Sequence, residues 1–326
     1  MKLKSLFLYS YEQLLKNNQK RVGALICIED EKKQMSWGEV APLLNWSKET
    51  LQECIAQIRQ KKSYILSIDW SLSTFLEAIQ NLKLLPAVAF GLESAVLTIL
   101  DPIQNISVPV SALFYGSYQE IIREAQLRHA EGFKSAKLKV SQLTFEEAAD
   151  VIHKLKDQFR LRIDVNRAWS TSKSLQFFSK FPLDSFDYIE EPFQNPQDLH
   201  LFKHPLAIDE SFPDDFSLKD LKAIPMLKAL IYKPTIQGGL ANCQTLYQWT
   251  QAHHIRFIIS SSFESEIGLM QCAALAQRLS VKSALGLGTY FHIKDLISQN
   301  SLQFKFSYLR IETAIEPQME KISKIF

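Results

Sequence analysis

Lys137 and Lys139, Asp164, Glu190, Asp209 and Lys233 are the residues whose types and spacing could do chemistry together. From Lys139 onward they recur about 19 to 26 residues apart, the length of one strand, one helix and two short connections. Each stands in or just after a short apolar run: 136–140, 161–165, 188–189, 206–208 and 229–232. Charged groups at strand ends, once per βα unit, gather at one mouth of a (β/α) barrel. Side chains two apart on a strand share a face, so Lys137 pairs with Lys139, and Arg162 with Asp164 and Asn166. Two lysines inside a barrel need carboxylates or a function. Side by side near a dication they depress each other's pKa, which makes a neutral lysine base accessible. Three converging carboxylates would repel without a cation, and oxygen ligands favour Mg²⁺, with Mn²⁺ as a substitute, over zinc. Lys233 would lie across the barrel from the Lys-x-Lys pair. Lysines on both sides of a metal-bound carboxylate fit proton removal α to it. Taken singly, Lys-x-Lys is an ordinary surface strand and each acid a helix cap; the common spacing is what favours a site.

The elements that must position these residues begin at about 108. Predicted strands are 108–114, 136–140, 161–166, 187–190, 206–209, 229–233, 256–261 and 283–287, and eight strands close a barrel. Helical stretches between them include 144–159, opened by a Thr144/Glu147 capping box, 239–254 and 266–279. The first hundred residues break the rhythm, with strands at 2–9 and 22–29 and helices at 47–61, 73–82 and 86–100. The expectation from the residues is therefore α/β: an α+β domain of about 100 residues followed by a βα barrel, with residues 300–326 returning to the N-terminal domain.

Of the 326 residues, 46% are hydrophobic and the net charge is +2. No basic block stands out, which argues against nucleic acid or an acidic membrane as partner. The partner expected is a small-molecule carboxylate; monomer and homo-oligomer both stay open. Cys27, Cys54, Cys243 and Cys272 are scattered, without CxxC spacing, and read as buried thiols in a reducing compartment. No apolar run approaches a signal or membrane-spanning segment, so a cytoplasmic protein is expected. Ser260-Ser261-Ser262 lacks a GxSxG elbow. Gly238-Gly239 opens a helix that either binds an anion or is a plain loop.

The chain resembles the enolase superfamily, in its muconate-lactonizing-enzyme-like subgroup. The resemblance rests on Lys137-Leu-Lys139, Arg162-x-Asp164-x-Asn166-Arg167-x-Trp169, Glu190-Glu191-Pro192, Asp209-Glu210-Ser211 and Lys233-Pro234-Thr235, and on residues 260–265 and 286–289. It extends to 36–42 and 86–94, and it implies an α/β fold in which 105–293 form a (β/α)7β-type modified TIM barrel and 1–104 an α+β capping domain, completed by residues 294–326. It implies that Asp164, Glu190 and Asp209 bind Mg²⁺, and that Lys139 removes the α-proton and then protonates the departing hydroxyl. Lys233 would stabilise the enediolate and Lys137 tune Lys139. Ser260 and Gly286 would line the substrate's far end, with Arg162 and Asn166 near the metal, and 36–43 would be a mobile lid. The activity implied is a hydro-lyase acting on a cyclohexadiene carboxylate; the alternative is an N-acyl amino acid racemase or dipeptide epimerase. Gly288 is a departure, standing where some relatives have Asp. Epimerases would carry Asp-x-Asp where this chain has Gly286-Leu287-Gly288.

Overall fold

The structure, a computed structural model, describes residues 1–299 and 302–326. The chain opens with an antiparallel sheet, β1 (Leu3–Leu14), β2 (Lys20–Asp30) and β3 (Met35–Val40). Helices α1 (Leu51–Ser67), α2 (Phe75–Leu82) and α3 (Pro86–Leu100) follow. Helix α3 has Pro at its first turn and is buried on nearly every face. It lies between β3 and the helical layer of the following domain, which is why its sequence is apolar almost throughout.

Strands β4 (Ile106–Pro109) and β5 (Ala112–Phe114) come next, then alternate βα units: α4 (Tyr118–Ala130), β6 (Ser135–Lys139), α5 (Phe145–Leu155), β7 (Arg160–Asp164), α6 (Thr171–Phe178) and β8 (Tyr188–Glu190). These continue as β9 (Leu206–Ile208), α7 (Leu218–Lys222), β10 (Leu227–Tyr232), α8 (Pro234–Gln237), α9 (Leu240–Ala252), β11 (Arg256–Ile259) and α10 (Glu266–Arg278). Strands β5 to β11 form one parallel sheet in sequence order. Parallel bridges from Ser260 to Gly286 and from Val110 to Leu285 join its two edges. The sheet is thus a closed barrel whose eighth stave is only Leu285 and Gly286. The fold is the modified barrel with an α+β cap that the resemblance implies.

The end of the chain crosses back. Strand β13 (Tyr308–Ile311) pairs with β4 on one side and β12 (Gln303–Lys305) on the other, and β14 (Ile322–Lys324) adds to the free edge of β1. Within the C-terminal segment assigned to 294–326, residues 300 and 301 lie outside those described.

Beyond the eighth stave, shorter than the 283–287 expected, three further elements differ from expectation. The single strand predicted at 108–114 splits, because Pro109 cannot extend a central ladder; β4 joins the antiparallel sheet and β5 the barrel. The helix predicted from 47 begins at 51, where Thr50 and Glu53 form a capping box; the Ser47 hydroxyl instead accepts from the Leu43 N–H at 2.9 Å. The lid predicted at 36–43 is for the most part strand β3, paired along β2 from Met35 to Val40.

Candidate active site

In-register parallel pairing sets Lys139 beside Asp164 and Asp164 beside Glu190. Those three side chains therefore form a row along the carboxyl ends of β6, β7 and β8. Asp209 and Lys233 each follow the last residue of their strand, β9 and β10. Four strand steps separate β6 from β10 in an eight-stave barrel, so Lys139 and Lys233 approach the carboxylates from opposite walls.

The charges are buried and interlocked. Asp164 and Glu190 are 0% exposed and Asp209 3%. Lys137 Nζ lies 2.8 Å from Asp164 Oδ2 and donates to Glu190 Oε1 at 2.6 Å. Lys139 Nζ stands 3.8 Å from Asp164 Oδ2, and Lys233 donates to Asp209. Burial pulls every one of these lysines towards neutrality, but the nearby carboxylates outweigh it at Lys137 and Lys233, whose pKa values rise. At Lys139 burial dominates, with Lys137 and Lys233 adding repulsion, and its pKa falls. Burial first, then the Asp164 charge, pushes Glu190 up to about 8. Only one ammonium of the three is thus placed to give up its proton easily.

The carboxylates fit a hard divalent cation. Glu190 Oε2 is buried without a hydrogen-bond partner, a costly condition for a carboxylate oxygen. The residues lining the cavity above it include no histidine or cysteine, so the available donors are oxygens, which suit Mg²⁺ or Mn²⁺. Among the described residues the three acids do not already converge as a ready cage, because lysine ammonium groups lie between them. A cation shared by all three would take over contacts that Lys137 and Lys233 make.

The other expected site residues divide. Ser260 and Gly286 line the cavity and bond each other, Ser260 Oγ donating to the Gly286 carbonyl at 3.3 Å. Arg162 borders the cavity floor, but its guanidinium is committed to Asp187, at 2.9 Å, and to the Ala284 carbonyl, at 2.7 Å. It also stacks over Tyr188, and so holds the barrel floor rather than being free for a substrate. Asn166 is not part of the cavity wall. Its backbone N–H, in a left-handed turn, donates to Asp164 Oδ1 at 2.9 Å and so aims a metal-ligand candidate. The Gly238-Gly239 helix end is already taken by a carboxylate of the chain itself, as Ala241 N donates to Glu93 Oε2 at 3.0 Å.

Sequence reasoning missed two contributors. Glu191 accepts from the Asp209 N–H, the Ser211 N–H and the Ser211 hydroxyl at 2.6 to 2.9 Å, which fixes the Asp209 loop. The tandem Glu190-Glu191 was the available signal. Trp46 roofs Lys233, its ring 4.5 Å from Nζ, and with Leu43 closes the cavity. Its turn is tied by Trp46 N to the Leu43 carbonyl, and Lys48 Nζ reaches Asp214 at 2.7 Å.

Gly288 is explained by close approach. A Cβ there would fall 2.7 Å from Leu113 N and 2.9 Å from the Ser111 carbonyl, and one at Gly286 2.4 Å from Ser260 Oγ. An Asp-x-Asp at 286–288 has no room in this wall. Gly288→Asp should therefore cost about 1–3 kcal/mol of stability by overpacking, read by thermal melting. Dipeptide epimerisation by that variant would overturn this account of the wall.

Comparison with known proteins points the same way. The enolase C-terminal domain-like family matches residues 120–315, and the MenC N-terminal domain family residues 12–99. The chain is 32% identical to the o-succinylbenzoate synthase of Pasteurella multocida, over 86% of this chain and 88% of that one. Identity to the o-succinylbenzoate synthase of Proteus mirabilis is 31%, over 87% and 85%. Among solved structures, a mandelate racemase/muconate lactonizing protein from Herpetosiphon aurantiacus superposes with a TM-score of 0.84 at 17% identity, over 97% and 98% of the chains. A dipeptide epimerase from Enterococcus faecalis gives 0.82 at 17%, over 99% and 100%. At such identities these structures speak for the fold alone.

Proposed function

This chain belongs to the o-succinylbenzoate synthase family of the enolase superfamily, and on that premise we propose the roles of its site residues. The enzyme is a hydro-lyase of menaquinone biosynthesis, converting 2-succinyl-6-hydroxy-2,4-cyclohexadiene-1-carboxylate to 2-succinylbenzoate. Lys139 Nζ takes the proton α to the substrate carboxylate, and the ring electrons then expel the hydroxyl. The same ammonium returns its proton to that hydroxyl on the same face, so one water leaves by syn elimination and the ring becomes aromatic. Lys233, held charged against Asp209, faces the carboxylate from the other wall and stabilises the enediolate. Lys137 adds positive charge beside Lys139. Ser260 and Gly286 receive the succinyl end, while Arg162 and Asn166 act behind the site.

Asp164, Glu190 and Asp209 would hold the divalent cation, for which we propose Mg²⁺ with Mn²⁺ as substitute. When bound, it supplies positive charge to carboxylate oxygens that become more negative as the proton leaves. The observation that carries the assignment is the row Lys139–Asp164–Glu190 with Lys233 opposite. We further propose a cytoplasmic enzyme whose partner is this small carboxylate; among the described residues no helix is long and apolar enough to cross a membrane.

The test is conversion of the cyclohexadiene to the aromatic product by purified protein and Mg²⁺, followed by absorbance with an EDTA control. Rapid metal-dependent aromatisation is expected. Its absence in a folded, metal-loaded sample, together with α-proton exchange of N-acyl amino acids in D₂O, would transfer the reading to a racemase.

A further inference from the structure

The segment Ser36-Trp37-Gly38-Glu39, on β3, is left unexplained by the reaction, and Glu39 is 1% exposed. Its carboxylate crosses from the capping domain into the amino end of barrel helix α10. Oε1 accepts from the Ser265 N–H at 3.0 Å and from the Tyr11 hydroxyl. Oε2 accepts from the Gly268 N–H at 2.8 Å and from the Ser265 hydroxyl. A carboxylate at a helix amino end satisfies donors that have no partner within the helix and meets the positive end of its dipole. Around it, the Glu39 N–H donates to Gln271 Oε1 at 3.0 Å, and Gln271 Nε2 donates to the Trp37 carbonyl at 2.8 Å. Together β3 and α10 are joined as one unit.

What this contact holds is the wall of the reaction cavity. Ser260, Ser261, Ser262 and Phe263 all line it, and they lie on a six-residue connection from β11 to α10. One end of that connection is fixed by Ser260 and Ser261, whose hydroxyls donate to the Gly286 carbonyl. The other end is Ser265, and it is fixed by Glu39. Between them, the Phe263 carbonyl accepts from Gln13 Nε2 at 3.5 Å, so a second capping-domain residue reaches the same stretch. A connection pinned at both ends keeps its shape; released at one, it shifts the serines that face the substrate.

We propose that Glu39 is a positioning residue of the lyase, through which the capping domain sets the Ser260–Phe263 wall of the substrate cavity. This rests on the lyase reading above. It separates cap function into two parts: the 43–48 turn covers the mouth, whereas Glu39 shapes the wall from behind.

The experiment measures kcat and KM on the cyclohexadiene, with thermal melts, for the wild type, Glu39→Gln, Gly268→Ala and Tyr11→Phe. Turnover by the wild type is the control; if it is absent, the lyase reading fails and the variants say nothing against Glu39. A glutamine cannot satisfy both the Ser265 and Gly268 N–H groups, since one of its two oxygens becomes an NH₂. Glu39→Gln should lower kcat/KM about 10- to 100-fold, mainly through KM, in protein that remains folded at the assay temperature. An alanine Cβ at 268 would come within 2.8 Å of Glu39 Oε2 and 2.6 Å of Glu264 Cβ, and should reproduce the KM effect by pushing the same group. Tyr11→Phe removes one donor without touching α10 and should stay within about twofold of wild type in both constants. Should Glu39→Gln fail to fold, Gly268→Ala carries the test alone. Melting temperatures that fall while kcat and KM of the folded variants stay within twofold would reduce Glu39 to a structural cap and overturn the proposal.

Discussion

Lys139→Ala is expected to lower kcat by about 10²- to 10⁴-fold, the range spanned by a single positioned acid–base group, and to leave the fold in place. The side chain is 31% exposed and its nearest carboxylate contact is 3.8 Å away. Asp164 keeps its closer partner Lys137 when Lys139 is removed. A partly exposed pair of this kind contributes about 1 kcal/mol or less, so melting should hardly move. Lys139→Arg distinguishes base from charge. An arginine stays protonated at any working pH and cannot take the α-proton, so it should be as inactive as alanine. Steady-state rates on the cyclohexadiene decide this. Activity of Lys139→Arg within tenfold of wild type would move the base elsewhere and leave Lys139 an electrostatic role.

The convergence of the candidate residues was readable in the sequence because a parallel barrel converts regular spacing into spatial proximity. Lys139, Asp164 and Glu190 end three neighbouring strands in register, so knowing the strands is nearly knowing the row. Arg162 shows where that logic stops. Two residues upstream of Asp164 on the same face, it was expected beside the metal. One strand layer deeper, its partner is Asp187, a residue whose approach depends on how the staves are staggered. The eighth stave was overestimated for a related reason: residues 283–287 look like a strand, but only Leu285 and Gly286 make bridges. Contacts between domains were the least legible. Glu39 and Glu93 lie far in sequence from the helices whose amino ends they occupy, and nothing in local periodicity announces a partner about 150 or more residues away. The lid expected at 36–43 rests on the resemblance alone, and pairing along β2 makes a strand of its first five residues. The covering turn is displaced to 43–48, where Trp46 meets Lys233.

Lys137→Met should produce the largest stability change, and one that depends on metal. In the folded protein Lys137 is the shared counter-charge of two fully buried acids, Asp164 and Glu190. Removing one partner of a buried ion pair leaves uncompensated charge and costs about 3–5 kcal/mol; methionine keeps most of the volume, so the loss reports charge rather than a void. A divalent cation would neutralise the same oxygens. Lys137 and the cation are therefore alternatives as counter-charges in the protein without substrate, and the variant should gain more from Mg²⁺ than the wild type does. The measurement is thermal or urea unfolding of both proteins in EDTA and in millimolar Mg²⁺. The expected pattern is a large deficit in EDTA that narrows with Mg²⁺, since a ligand bound only by the folded state stabilises it by RT ln(1 + L/Kd), with L the free ligand concentration. Turnover should remain low in Mg²⁺, because the positive charge beside Lys139 is gone. Equal stability in EDTA, or the same Mg²⁺ shift in both proteins, would mean that Lys137 does not carry the counter-charge assigned to it. The Asp164–Glu190 pair would then have to be held by something other than lysine.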